Sequence, residues 1–406
     1  MEYGFLVRNA RLRSGIVTDI VVSDGRIVQM KAGIKGTGKV EIDAKRKLTT
    51  ETFVIAHLHL DKVMTGSLAS DAVIQRYQRG DQDGIMNAIE MASQVKAEYR
   101  ESEIVERVRN VLTGAMLHGV SHIRAFADVD SKARLIGLNA LLKIREEFKG
   151  LVDIQVVAFP QDGVRRESGA EEYMWKAMDL GADVVGGIPW IEHTDEDMKH
   201  HVDFAYELAK KYDKDIEMLT DDGGNPNLRT TEYLAARTIK GGWTGRVVAC
   251  HARASALYNK IYHRKLVAML KRAGMGVVTN PHTGPLHVRV RDLLDAGVNV
   301  ALGQDDVSDA YYPYGRCKML EVAFLASHLL WMMTAQDRET LYDMITINPA
   351  KMLHVKDYGM IVGNEANLVV LDANDLLEAY THQTEALYVI RKGKLVAQSS
   401  IQRKTM

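Results

Sequence analysis

The 406-residue sequence predicts an α/β protein, a (β/α)8 TIM barrel joined to a small β-sandwich domain. From about residue 52, short apolar strands alternate with longer segments of helical period, which indicates βα units around a parallel sheet. Both ends of the chain instead alternate and turn like antiparallel strands, so we expect them to pair with each other. The expected domains are residues 1–51 with 356–406 for the sandwich and 52–355 for the barrel.

The terminal segments have the apolar alternation and polar turns of a β-sandwich. A Ser-Asp-Gly-Arg turn at 23–26 joins two of the N-terminal runs, which is typical of a hairpin. The expected strands are 5–7, 19–22, 27–30, 366–371, 386–390 and 394–396. Since the middle of the chain has a different period, the barrel is expected as an insertion between the two halves of the sandwich.

The central segment contains eight apolar runs with the length of buried strands. They are 52–57, 121–126, 152–159, 183–188, 215–219, 246–250, 276–279 and 299–303. Helical stretches are expected between them at 101–117, 131–148, 196–211, 229–240 and 263–273. In a barrel of this kind the chemistry lies on the loops after the carboxyl ends of the strands.

Composition excludes several classes of function. Lys and Arg total 52 and Asp and Glu total 53, so no charge imbalance favours nucleic acid or an anionic membrane. No apolar run approaches the length of a membrane span, and the N-terminus lacks the apolar stretch of a signal peptide. The two cysteines provide no disulfide framework. We therefore expect a soluble cytoplasmic protein. Because barrels of this kind commonly associate, we also expect a homo-oligomer.

Histidines and carboxylates gather at the expected strand ends. His57 and His59 are two residues apart at the end of the first strand, so both imidazoles point to one face. Imidazole is a ligand for zinc or iron, and such a pair is a sensible start to a catalytic metal site. The barrel brings His251, after the sixth strand, and Asp305, after the eighth, to the same end.

Other polar and aromatic residues follow the remaining strands. Gln161 follows the third strand, and Asp221 and Asp222 follow the fifth. His282, after the seventh, is more plausible as a substrate contact than as a ligand. Trp190 and the aromatic run 311–314 are candidates for the wall of a pocket for a flat ring.

These residues together resemble the amidohydrolase superfamily, and within it the cytosine deaminase and isopropylammelide amidohydrolase branch. The motifs that resemble it are Ala56-His57-Leu58-His59-Leu60-Asp61-Lys62, the segments 124–130, 155–161 and 181–187, Cys250-His251, and Gln304-Asp305-Asp306-Val307. The resemblance implies His57, His59 and Asp305 as ligands of one divalent metal ion, zinc or iron. It also implies that Gln161 holds the substrate's amide edge and that His251 polarises the attacked group.

The sequence departs from that branch around the metal. Leu219 stands where cytosine deaminases have a ligand histidine after strand five, and Asp222 stands where they have a catalytic glutamate. Phe126 and Gln304 replace two further family histidines. Three ligands and a water form a normal catalytic site, but His251 or Asp221 are alternatives for the missing ligand.

The expected function is therefore a mononuclear metal-dependent hydrolase that attacks a C–N bond of a small pyrimidine- or triazine-like heterocycle with metal-activated water. Asp222 is the candidate carrier of protons, with His251 and Asp305 the other catalytic residues. Two alternatives stay open: a related cyclic-amide hydrolase with a different leaving group, and a barrel that has lost catalysis and serves as a binding protein.

Overall fold

The structure is a computed structural model that describes residues 2–66 and 71–400. Residue 1 and residues 401–406, the outer ends of the expected sandwich segments, lie outside the described residues. The strands are β1 (Glu2–Arg11), β2 (Val17–Ser23), β3 (Arg26–Lys31), β4 (Thr37–Asp43), β5 (Thr49–Glu51), β6 (Phe53–Leu58), β7 (Val120–Asp128), β8 (Asp153–Phe159), β9 (Val184–Gly187), β10 (Asp215–Thr220), β11 (Val247–His251), β12 (Gly276–Thr279), β13 (Val300–Leu302), β14 (Leu368–Leu371), β15 (Ala386–Arg391) and β16 (Lys394–Gln398).

The α-helices pack mainly around the outside of the barrel. They are α1 (Asp71–Tyr77), α2 (Gln82–Ser93), α3 (Glu101–Leu117), α4 (Ile136–Glu147), α5 (Ala170–Asp179), α6 (Asp195–Tyr212), α7 (Thr230–Gly241), α8 (Lys260–Ala273), α9 (Val290–Asp295), α10 (Met319–Leu329), α11 (Ala335–Asp343), α12 (Ile347–Met352) and α13 (Leu376–His382). Within the described ranges, none of these helices has the length and apolar character to cross a bilayer.

The central sheet contains eight parallel strands in the order β6 to β13. A parallel bridge between Leu58 and Asp305 joins the first strand to the loop after the last, which closes the barrel. Its strands are buried on both faces, as expected for a parallel sheet covered by helices. The (β/α)8 prediction is confirmed, and the eight observed strands overlap all eight expected runs.

The terminal segments form two further four-stranded sheets, β3-β2-β1-β4 and β16-β15-β14-β5. Their facing sides enclose one apolar cluster to which both ends contribute, including Val7, Ile20, Leu368 and Ile390. The other face of the second sheet packs on the barrel through residues such as Val369. The predicted β-sandwich from the two ends of the chain is confirmed.

The observed helices agree with the expected ones, with shifts at their ends. The segment 101–117 is helical over its whole expected length, whereas 131–148 becomes helical only from Ile136. The loop after β6 contains two helices, α1 and α2, that the sequence analysis did not identify. These two helices matter for function because they cover the carboxyl end of the barrel, where Tyr77, Ile85 and Ile89 line a cavity.

Candidate metal centre and active site

The backbone that closes the barrel also positions the first three candidate ligands. The His59 N–H donates to the Asp305 carbonyl at 2.8 Å, and the Asp305 N–H donates to the His57 carbonyl at 3.0 Å. His57 lies at the end of a buried β-strand, and His59 comes two residues later, as the alternation predicted. All three side chains are almost completely buried. Their relative positions are therefore fixed by main-chain hydrogen bonds rather than by flexible loops.

Three imidazoles converge on one carboxylate oxygen. The Asp305 Oδ1 atom lies 3.1 Å from Nε2 of His57, 3.7 Å from Nε2 of His251 and 4.0 Å from Nε2 of His59. The second oxygen, Oδ2, accepts a hydrogen bond from the Thr283 hydroxyl at 2.6 Å. Nε2 of His57 and Nε2 of His251 are buried without a hydrogen-bond partner among the described residues. This set of nitrogen and oxygen donors fits a divalent transition metal.

The electrostatic environment keeps His59, His251 and Asp305 in the protonation states that can ligate a metal. Burial holds the pKa values of His59 and His251 well below the ordinary histidine value, so both imidazoles are neutral. Burial alone would raise the pKa of the Asp305 carboxyl, but the neighbouring His251 and His57 hold it well below its usual range. Burial lowers the pKa of His57, and Asp305 and Glu217 outweigh this effect and raise it to about 9.

Two of the converging residues have left-handed backbones. His251 has φ +66° and Asp305 has φ +67°, although neither is glycine. Such a conformation costs roughly 1 kcal/mol or more per residue and persists only where the surrounding structure enforces it. Both residues line the cavity beside the histidine cluster.

Other buried side chains contact the Nδ1 side of the His57 ring. Nδ1 of His57 lies 3.5 Å from Oε1 of Glu217 and 3.4 Å from Sγ of Cys250. Arg124 donates to the other Glu217 oxygen at 2.8 Å, which compensates the buried negative charge. A carboxylate that accepts from Nδ1–H leaves Nε2 free as a metal ligand and fixes the ring. Glu217 was missed in the sequence analysis; its position two residues before Leu219, on the same strand face, is the signal that identifies it.

Gln161 is held by a buried lysine. Nζ of Lys62 donates to Oε1 of Gln161 at 3.0 Å and to Oδ1 of Asp128 at 2.9 Å. Burial lowers the pKa of Lys62, but Asp128 and Asp61 more than offset this, and the pKa is raised, so the amine stays charged. Because an ammonium group only donates, the amide oxygen of Gln161 must face Lys62. Its NH2 group remains as the donor on a residue that lines the cavity.

Asp222 lies beside the histidine cluster. Its Oδ1 atom is 3.6 Å from Nδ1 of His251 and 3.1 Å from Nε of Arg253. Burial raises the pKa of Asp222 to about 7, in spite of the lowering effect of Arg253. A carboxyl group with a pKa near neutrality can both accept and donate a proton, which suits general acid–base chemistry.

Asp221, one of the two alternatives for the missing ligand, binds the backbone of α7 with its side chain. Its Oδ1 accepts from the Thr230 N–H at 2.7 Å, and its Oδ2 accepts from the Thr231 N–H at 3.0 Å. The carboxylate therefore caps the N-terminus of α7. Of the two alternatives, only His251 lies beside Asp305.

A cavity of about 30 Å³ borders the histidine cluster. His59, Gln161, Asp222, His251, Asp305 and Asp306 form its polar side. Leu219, Ile188 and the two isoleucines of α2 form its apolar side, under Tyr77 and Tyr311. Burial, together with the nearby Asp309 and Asp305 carboxylates, raises the pKa of Asp306 well above its ordinary value.

Two predicted substrate contacts lie outside this lining. Trp190 is fully buried behind the loop that follows β10, where its ring would contact a Cβ placed at Gly223. His282 directs Nε2 to the Gln304 carbonyl at 3.2 Å and packs edge-on against Tyr312. The sequence placed both residues at strand ends, but it could not show which groups their side chains contact.

The comparisons with known proteins agree with this architecture. The model of the "Amidohydrolase family" matches residues 40–397. The chain belongs to the amidohydrolase family. It is 33% identical to N-isopropylammelide isopropyl amidohydrolase of Pseudomonas sp. (strain ADP), over 98% of both chains. The structure of 5-methylcytosine deaminase from Klebsiella pneumoniae, liganded with 5-fluorocytosine, superposes with a TM-score of 0.90 at 31% identity and 99% coverage of both chains.

A more distant relative, pterin deaminase of Rhizobium rhizogenes, is 26% identical over 94% of this chain and 88% of its own. The predicted membership of the amidohydrolase superfamily, and its branch, is thus confirmed. This amidohydrolase is an enzyme of the hydrolytic class.

Proposed function

We propose that this amidohydrolase is a mononuclear metal-dependent hydrolase that cleaves a C–N bond of a small nitrogen heterocycle, of pyrimidine or triazine type. The observation that supports the proposal most is the convergence of imidazole Nε2 atoms on Oδ1 of Asp305 in a buried cavity. The similar proteins bear names that refer to an ammelide, a methylcytosine and a pterin, which are all flat nitrogen heterocycles.

The proposed ligands are His57, His59 and Asp305, and the ion is zinc or iron, since two imidazoles and a carboxylate suit both. A divalent metal held by these residues would supply a water molecule of lowered pKa and would act as a Lewis acid toward the substrate. Glu217 keeps the lone pair of His57 Nε2 directed at the site.

The protein's own residues bind the ring and move the protons. The NH2 group of Gln161, oriented by Lys62, donates to an acceptor atom on the edge of the heterocycle, such as a ring carbonyl oxygen. Asp222 takes the proton of the attacking water and delivers it to the departing nitrogen, as its pKa of about 7 permits. The apolar side of the cavity excludes bulk water from the reacting atoms.

Leu219 favours a leaving group that differs from that of cytosine. It lines the cavity together with Ile188, so an apolar surface faces the reacting centre. An alkylated amine would bury its carbon atoms there, whereas ammonia would gain nothing. Cleavage of another substituent from a cyclic amide is therefore the second candidate.

We also propose that the enzyme acts in a reducing cytoplasm as a homo-oligomer. Both described cysteines, Cys250 and Cys317, are free and buried.

The test is a product assay with amino- and alkylamino-substituted pyrimidines, triazines and pterins, after zinc or ferrous iron is added. We expect ammonia or an amine to be released with a hydroxyl-substituted ring as co-product. Asp222→Asn should lower kcat at least 100-fold, because acid–base catalysis contributes about 10²–10⁴. Asp183→Asn is the matched control, since Asp183 pairs with Arg145 outside the cavity. Failure of every ring to react, or an unchanged rate in Asp222→Asn, would contradict the proposal.

A further inference from the structure

Arg253 is a buried guanidinium that the proposed mechanism does not use. It follows His251 by two residues and is 3% exposed. Nη1 donates to the Tyr77 hydroxyl at 3.1 Å, and Nη2 donates to the Thr283 hydroxyl at 2.9 Å. Nη2 also lies 3.3 Å from Nδ1 of His251. One side chain therefore joins the helix above the cavity, the loop after β12 and the histidine beside Asp305.

The contact between Arg253 and His251 decides where the imidazole proton lies. A guanidinium group has N–H donors and no acceptor, and it remains charged in proteins. The Nδ1 atom that faces it must therefore be the acceptor, which excludes both the doubly protonated ring and the Nδ1–H tautomer. The single proton is then on Nε2, which points into the cavity and has no partner among the residues described.

A metal ligand requires the opposite tautomer. For Nε2 of His251 to bind a metal, its lone pair must be free and the proton must move to Nδ1. Asp222 could accept that proton, since its Oδ1 lies 3.6 Å from Nδ1. Arg253 prevents this arrangement because its Nη2 is closer to Nδ1 and its Nε, 3.1 Å from Oδ1, already pairs with Asp222.

We propose that Arg253 is a positioning residue that fixes the Nε2–H tautomer of His251 and thereby keeps this histidine off the metal as a donor to the substrate. The inference rests on the proposed metal site. The proposal also explains how the site can work with Leu219 in place of the strand-five ligand. The metal keeps three protein ligands, and His251 does not become the fourth. The donor Nε2–H then recognises an acceptor atom, such as the attacked amidine nitrogen or amide oxygen.

The loop after β12 is shaped to admit the guanidinium. A Cβ atom built on Gly284 would lie 2.2 Å from Nη1 of Arg253 and 2.8 Å from its Cζ. Any side chain at residue 284 would therefore force the guanidinium of Arg253 to shift. The backbone of Gly284 is not in the left-handed region, so alanine at this position is unfavourable only because of this contact.

Zinc affinity tests the proposal, measured by competition with a chromophoric chelator in the wild type and in variants. His251→Ala should bind zinc within about threefold of the wild type, whereas His57→Ala should bind at least 100-fold more weakly. Arg253→Met should bind about tenfold more tightly, because the freed Nδ1 can donate to Asp222 and Nε2 can join the metal. Cobalt-loaded Arg253→Met should show shifted visible bands, as a nitrogen ligand replaces water.

Three further variants separate this role from a general structural one. Gly284→Ala should reproduce the tighter binding of Arg253→Met without removing the arginine. Arg253→Lys, which keeps a cationic donor, should retain wild-type affinity. Tyr77→Phe removes another hydrogen bond of Arg253 and should leave zinc affinity unchanged.

The tautomer can also be read without metal. Nitrogen-15 spectra of histidine-labelled, metal-free protein, assigned with His251→Ala, should show His251 Nδ1 in the unprotonated range. A protonated Nδ1, or loss of zinc from His251→Ala equal to that in His57→Ala, would overturn the role of Arg253 while leaving the metal site intact. A wild type that binds no zinc or iron would instead overturn the proposed function.

Discussion

Replacement of Asp221 by alanine should destabilise the protein and leave its metal content unchanged. The Asp221 side chain accepts from two backbone N–H groups of α7 and also from the hydroxyls of Thr230 and Tyr258, at 2.7 and 3.3 Å. Each buried N–H left without a partner costs about 1–3 kcal/mol. Loss of a carboxylate at a helix N-terminus adds about 0.5–1 kcal/mol. The expected loss is the sum of these terms, about 3–7 kcal/mol.

The thermal midpoint converts this loss into a measurable shift. An unfolding entropy of about 2.1 cal/mol/K per residue gives about 0.85 kcal/mol/K for a chain of this length. The midpoint followed by circular dichroism should therefore fall by roughly 4–8 °C. Asp221→Asn is the matched control, because it retains an acceptor and tolerates the left-handed backbone at φ +46°, so its shift should be smaller. Loss of metal from Asp221→Ala with an unchanged midpoint would refute the reasoning and make Asp221 a ligand.

Three other predictions concern the surroundings of the site. Glu217→Gln should weaken zinc binding about 10- to 100-fold in chelator competition, because His57 loses its anionic partner. Burial raises the pKa of Glu192, but His201 and two backbone N–H groups hold it below its ordinary value. The ionised Glu192 therefore contributes to the free energy of unfolding above about pH 4.5, and this contribution is lost as the pH falls below that value. The loss of stability that Glu192→Gln causes, measured by urea unfolding, should therefore become smaller at acid pH. Lys96→Met leaves Asp130 without an ionic partner among the described residues and removes one of the two cations beside Asp128 and Asp162, so it should cost about 3–5 kcal/mol by urea unfolding at neutral pH, and less in acid.

Periodicity predicted most of the fold because the barrel repeats one simple unit. Each buried parallel strand is a short apolar run, and each run ends where polar side chains begin, so the eight strands could be found one by one. The helices α1 and α2 were missed because they belong to an insertion after β6 rather than to the repeat. Their packing over the cavity depends on tertiary contacts of Tyr77 and Ile85.

The candidate site was predictable where strand ends fix direction. His57 and His59 share a face because a strand alternates, and Asp305 meets them because a closed barrel joins its first strand to its last. Side-chain direction on loops was not predictable: Asp221 turns to cap a helix, and Trp190 turns into the core. Arg253 belongs to none of the sequence motifs, and only the structure shows that it contacts His251.

The most direct test of the metal site is elemental analysis of protein purified without added metal, in the wild type, His57→Ala and His263→Ala. His263 is a buried histidine on α8, beside Asp292 and away from the cluster, so it is a matched control. The account predicts about one zinc or iron per chain in the wild type and in His263→Ala, and a near-complete loss in His57→Ala. Absence of metal from the wild type, with none taken up from added zinc or ferrous iron, would contradict it.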